Sequence, residues 1–319
     1  MTTNLKTKSE ILFLYESVFS IPNGDPFTGE QRYDDETKKV LVSDVRIKRF
    51  IRDYLHEKGY EVYLFWDKEE IEKDKAIKKA KADENIKIES KKPAKKSGSG
   101  SANRMLQLKE KYKGIPTTIE IFKQCIDVRM FGGISTEEKD NLNITGPVQF
   151  ALLNSSLNKV DLRVHQNTTV FPSNTDKNQG SIGTTAIVPY SVNQIHGWIN
   201  PYSAEKSGLT DEDINLMLKA LWESINNANT RTKSNQNSLL LLQIIYNDPS
   251  KKIYGLDNMI KLNSEKQDEE FRSIEDFEFN FQKLFDAISS NDINIKFYSK
   301  IPQIYNIFKN QNKFEEILL

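Results

Sequence analysis

One cysteine, Cys125, in 319 residues leaves nothing for an intrachain disulfide or a cysteine-based zinc site. With no recognisable signal peptide, that predicts a reducing, cytoplasmic setting. Histidine is nearly as scarce: His56, His165 and His196 are the only three. There is no HExxH pair and no P-loop. Gly98-Ser99-Gly100 lacks the strand–turn–helix context of a dinucleotide fingerprint. The strongest apolar run, Leu239 to Tyr246, is interrupted by Gln243 and is far too short to span a bilayer. The sequence therefore predicts no cofactor, no resident metal and no membrane partner. Net charge is missing as well, because 45 Lys and Arg offset 45 Asp and Glu. Any grip on nucleic acid must then come from local clusters of cations.

What is present is enough for one large domain or two smaller ones, with 37% apolar and 28% charged residues. Ile11 to Phe19 is β-rich and almost continuously apolar, the pattern of a buried central strand. Ile21-Pro22-Asn23-Gly24-Asp25-Pro26 is a dense turn signal. After the extended piece Val40-Leu41-Val42, Ser43 stands at a helix N-cap and Asp44 suits the first turn. That helix runs to Lys58 and stops at Gly59. Tyr60 to Trp66 reads as a second strand, Asn143 to Leu153 as a third broken by Gly146-Pro147, and Leu239 to Tyr246 as a fourth. Thr210 and Asp213 resemble a capping box opening a helix, Asp211 to Asn229, with Ile214, Met217, Leu218, Leu221, Trp222 and Ile225 on one stripe. The order β, α, β, β, α, β predicts an α+β fold of the split-βαβ, ferredoxin-like kind, which RRM-type RNA binders share. Residues 83–103, with Lys91-Lys92-Pro93-Ala94-Lys95-Lys96-Ser97-Gly98-Ser99-Gly100, are too polar to order themselves and predict a mobile insertion. Leu162 to Ile187 reads as a long hairpin projecting from the body.

Five segments carry candidate binding chemistry. On a helix, Ile47, Phe50, Ile51, Tyr54 and Leu55 share one face, and Arg46, Lys48, Arg49 and Arg52 fall on the other with only Asp53 among them. A merely solubilising face usually mixes signs, so this one predicts phosphate contact. Arg129 with Gly132-Gly133 offers a charge and two backbone amides, or else an ordinary helix end. Gln149, after Gly146-Pro147, stands ready to hydrogen-bond a ribose or base, or else marks a plain bulge. The hairpin adds Arg163 and His165 and needs a neighbour to lie against. The acidic loop Asp25, Asp34, Asp35 and Glu36 is either an exposed turn or a divalent-metal site.

In this order, Ile21 to Pro26, Val42 to Leu55, Asp127 to Gly133, Thr145 to Phe150, Ile187-Val188-Pro189-Tyr190 and His196-Gly197 resemble the Cascade backbone subunit of type I CRISPR systems, closest to the type I-B branch of the RAMP superfamily. The resemblance covers roughly residues 10 to 250. It implies an RRM-like palm (1–66, 113–161 and 188–254), helical fingers (67–112), a β-hairpin thumb (162–187) and a C-terminal extension (255–319) without an assigned role. It implies copies stacked along one CRISPR RNA beside a large subunit and a subunit holding the guide 5′ end, with exposed guide bases pairing to target DNA. Carried over by position, Asn23, Gly24, Ser43, Arg46, Lys48, Arg49, Arg52, Arg129, Gly132, Gly133 and Gln149 lie at the RNA backbone, and the thumb brings Arg163 and His165. Ile21 departs from the Asn usual before that proline, and no aromatic RNP signature marks the sheet, so backbone gripping is expected over base stacking. The rival reading is a metal-dependent target-RNA endonuclease of the type III kind, using Asp25, Asp34 or Asp35. A guide-processing endonuclease is disfavoured, with no histidine near a Gly-rich loop late in the chain.

Overall fold

The computed structural model describes residues 7–65, 100–137, 140–168, 182–311 and 313–319. A mixed sheet forms its centre. Lys8–Ser20 lies between Gln236–Tyr246 and Ile182–Ile199 and is antiparallel to both. Val148–Phe150 adds to the far side of Ile182–Ile199, and Ile293–Tyr298 to the far side of Gln236–Tyr246. Phe314–Glu316 finishes that edge in the one parallel pairing among the described strands.

The central strand is buried on both sides, as its unbroken apolar run requires. Ile11, Phe13 and Tyr15 face the helices Asp44–Glu57 and Asp211–Asn226, whereas Leu12 and Leu14 face the other way. The first helix buries Ile47, Phe50, Ile51, Tyr54 and Leu55, the stripe its periodicity predicts. The second carries the complete capping box, with Thr210 and Asp213 each accepting the other's backbone amide.

The opposite face is roofed by the C-terminal residues. Phe271, Phe277, Phe281, Leu284 and Phe308 pack over Leu12, Leu14, Leu240 and Leu242. Phe281 and Phe308 meet edge to face at 4.9 Å. Each such side chain taken from water is worth about 1.5–3 kcal/mol, so this roof is core and not appendage.

Two expectations of secondary structure need correcting. Tyr60 to Phe65 is not a strand, and Trp66 lies outside the described residues. The amides of Tyr63 and Leu64 donate to the Asp127 carboxylate, which replaces ladder partners. Asn143 to Leu153 is not one strand either. Asp140–Thr145 pairs with Gly132–Glu137, Val148–Phe150 joins the main sheet, and Leu153–Ser155 pairs with Lys39–Ser43. The strand beside Lys8–Ser20 is the 18-residue Ile182–Ile199, whose polar and aromatic alternation hides a continuous element.

Gly100–Lys111 is a helix, so Gly100 to Asn103 belong to its first turn and not to a mobile tract. The rest of the expected insertion, 67–99, lies outside the described residues. Arg163–Thr168 pairs with the start of Ile182–Ile199, Arg163 opposite Ile187 and Thr168 opposite Ile182, as a hairpin should. Its tip lies outside the described residues. Among those residues, no helix is long and apolar enough to cross a membrane.

Candidate functional site

The expected ridge of four outward cations is not what the fold presents. Arg52 Nε sits 2.9 Å from Asp127 Oδ2, and the Asp127 side chain is only 1% exposed. Asp127 also accepts the Tyr63 and Leu64 amides at 2.7 and 3.2 Å, so Arg52 fastens its helix to the loop and to Ile126–Phe131. Arg49 Nε pairs with Asp53 at 2.6 Å. Lys48 Nζ donates to Asp44 at 3.0 Å and to Gln149 Oε1 at 3.1 Å. Arg129 forms a two-pronged pair with Asp213 at 2.8 and 2.7 Å. The reason is partly local and partly not. Asp44–Lys48 and Arg49–Asp53 meet at i,i+4 on one helix. Asp127 and Asp213 arrive from elements remote in sequence.

Other candidates also serve the fold. Asn23, nearly buried, accepts the Ser43 amide and hydroxyl, both at 2.7 Å. The turn and the helix start are thereby joined, and the Ser43 hydroxyl caps no helical amide. At Gly24 a Cβ would find its nearest neighbour at 3.6 Å, so no steric need for glycine exists there. Gly132 and Gly133 are not an open amide cradle, since both lie in the ladder opposite Thr145 and Ile144. Gly132 has φ +78°, and a Cβ there would stand 2.1 Å from the Ile144 carbonyl oxygen. A Cβ on Gly146 would stand 2.0 Å from the Phe131 carbonyl carbon, and one on Gly133 2.7 Å from the Phe122 ring. Two segments of the chain cross here at backbone distance. In the acidic loop, Asp25 accepts the Phe27 and Thr28 amides and pairs with Arg32 at 3.1 Å. Asp34 accepts the Glu36 amide and the Thr37 hydroxyl. Among the described residues, no three His, Cys, Asp or Glu side chains are grouped to hold a metal ion.

Arg46 differs from its neighbours. Its guanidinium lies 3.8 Å from the centre of the Phe50 ring, and its Nε is buried without a hydrogen-bond partner. Burial draws its pKa below the usual guanidinium value. Close by is Lys233, which no pattern in the sequence singles out. Its Nζ donates to the Ile21 carbonyl at 2.5 Å and to the Thr232 hydroxyl at 3.3 Å. Burial, then repulsion from Arg46, pull its pKa down to about 8. Neither cation has an ion pair among the described residues. The hydroxyls of Tyr15 and Ser20 and the Gln236 Oε1 are likewise buried and unpartnered. Two partly desolvated cations with no carboxylate in ion-pair contact are unfavourable in the protein by itself, Asp53 acting on Arg46 only at longer range. Such a breach of the usual pairing rules is characteristic of a site built for an anion.

The neighbouring surface is a cleft of about 270 Å³. Phe19, Ser20 and Ile21 line it with Arg231 and Thr232, and the hairpin root contributes His165. Arg163 lies exposed on the hairpin but does not line this cleft. Phe19 has φ +44°, a strained conformation for a bulky residue, and its side chain is 57% exposed. The available sequence signal for this corner was two cations flanking Thr232, Arg231 and Lys233, with no motif around them.

Comparison with known proteins places this architecture. The family model for CRISPR-associated protein Cas7 matches residues 7–282. A CRISPR-associated protein Cas7 of Haloferax volcanii is 24% identical over 312 residues, spanning 88% of this chain and 82% of the relative. A chain from a solved CRISPR RNA-guided surveillance complex, in its pre-nicking form, shares the fold with TM-score 0.58 at 12% identity, covering 92% of both chains. The chain belongs to the CRISPR-associated protein Cas7 family.

Proposed function

We propose that this protein is a backbone subunit of a type I, cytoplasmic Cascade-type surveillance complex. Several copies grip the sugar-phosphate chain of one CRISPR RNA and leave its bases free to pair with target DNA. It performs no chemistry of its own. Family membership supports this reading, and so does the shared fold with a chain of an RNA-guided complex. The observation that carries it is the half-buried pair Arg46 and Lys233, two cations close enough to repel each other and without an ion-pair partner among the described residues.

In this reading the four antiparallel strands with two helices on one face are the RRM/ferredoxin-like palm. Residues 67–112 are the fingers and 162–187 the thumb, which lies against the next copy. The large subunit and the subunit at the guide 5′ end are the remaining partners, and the type I-B assignment rests on the motif resemblance. Asn23 and Ser43 shape the loop beside the phosphates, and Arg49, half-exposed beside Asp53, exchanges that partner for RNA. Lys48, Gln149, Arg52, Arg129, Gly132 and Gly133 act mainly by holding the palm in shape.

The test is assembly on a guide-length RNA at moderate salt. Arg46→Ala with Lys233→Ala should abolish the helical row of subunits while circular dichroism stays native. Normal assembly by that double variant would overturn the proposal.

A further inference from the structure

On the far side of the sheet from Arg46 lies a cavity of about 420 Å³, between Ile182–Ile199 and the C-terminal roof. It falls in the size range of small-molecule sites. Its floor is a polar cluster that is already satisfied. The buried Glu10 carboxylate accepts from His196 Nε2 at 2.7 Å, Trp198 Nε1 at 3.0 Å and Tyr246 at 2.7 Å. Three donors on one carboxylate fix both rings of the cavity wall.

Gln194 is not satisfied. It is 7% exposed and lines the cavity. Its Nε2 donates to the Asp257 carbonyl at 2.5 Å, which fixes the amide orientation, because a flip would set two oxygens face to face. Its Oε1 is then a buried acceptor with no donor. Lys39, Lys252 and Lys261 also line the cavity. Lys39 has its pKa lowered by burial and by Lys261 and Lys159. Of the two carboxylates present, Asp268 accepts the Lys159 amide at 2.9 Å and Asp257 the Asn258 side chain at 3.2 Å. A ligand that brings an N–H donor for Gln194 and an anion for the lysines would satisfy these groups, beside the Trp198 ring that Lys252 and His196 already cover.

We propose that this cavity binds a single nucleotide whose base carries an exocyclic amine, with Gln194 Oε1 accepting from the amine and Lys39 and Lys261 holding the phosphate. Inorganic phosphate fills only the cationic end, and a uracil base turns a carbonyl toward Gln194. The nucleotide is either free or an unpaired member of a strand.

The site is independent of the guide-binding reading, so it is tested on the RNA-free chain carrying Arg46→Ala and Lys233→Ala as well as on the natural chain. Calorimetric titration with CMP and UMP should show CMP binding at least about tenfold tighter in both proteins. Gln194→Leu should erase that difference, and Lys39→Ala should weaken CMP without erasing it. Competition by a short cytidine-containing oligonucleotide would identify the strand as the source, and its failure to compete the free nucleotide. No binding of CMP at millimolar concentration, or equal binding of CMP and UMP by the natural chain, would overturn the proposal.

Discussion

The guanidinium of Arg46 rests 3.8 Å from the Phe50 ring centre, with its Nε buried and unbonded. A cation held this way is stabilised by the ring face but remains short of one hydrogen-bond acceptor. Arg46→Ala should therefore weaken single-stranded RNA binding by about tenfold at moderate salt and lower the slope of log K against log salt by about one. Fluorescence anisotropy across a salt series measures both.

Lys233 gives the interface a pH dependence. Its pKa is about 8 in the folded chain against 10.5 for an ordinary lysine. Below pH 8 both folded and unfolded chains carry the proton, and the burial penalty is fully present. Between about 8 and 10.5 the unfolded chain holds more protons, so stability rises with pH through that window. RNA affinity moves the opposite way, because a bound phosphate holds the proton on Lys233 and binding above pH 8 takes one up. Affinity should fall between about pH 7.5 and 9.5 in the natural chain, to be read by anisotropy at constant ionic strength. Lys233→Arg should flatten that profile.

Asp127 ties three partners together: Arg52 and the amides of Tyr63 and Leu64. Asp127→Ala leaves a nearly buried guanidinium and two amides without an acceptor. A loss of about 3–5 kcal/mol is expected from urea unfolding. Arg52→Ala should also lose stability, and RNA affinity corrected for folded fraction should change little.

Gly132 and Gly146 meet where two segments of the chain cross. Gly132→Ala and Gly146→Ala each demand backbone displacement, and expression with thermal melting should show severe destabilisation or no folded product. Gly24→Ala meets only ordinary contacts and should melt within a few degrees of the natural chain.

Much of the central sheet and its two helices was legible because the signals are local. The apolar run Ile11 to Tyr15, the stripe Ile47 to Leu55 and the box Thr210–Asp213 each specify one element by period or capping chemistry. Ile182–Ile199 was not legible as one strand, because its two halves face different neighbours, the Arg163–Thr168 arm and the central strand. Of the four cations expected to stand free on one helix face, Lys48, Arg49 and Arg52 carry carboxylate partners and Arg46 does not. Helical projection shows which residues share a face but not that Asp127 and Asp213 come to meet Arg52 and Arg129. Lys233 and Phe19 are invisible to pattern, because one matters through burial and the other through a left-handed backbone angle. The motif glycine at 132 is explained by the close passage of the Ile144–Gly146 backbone, and that at 133 by the Phe122 ring packed on it.

The aromatic roof over Leu12, Leu14, Leu240 and Leu242 has one more consequence. RRM proteins spread bases across that exposed sheet surface and read them by stacking. Here Phe271, Phe277, Phe281 and Phe308 already occupy it. A strand of RNA can touch this molecule along its rim but cannot spread its bases across this roofed face, so reading by stacking on the sheet is closed to it.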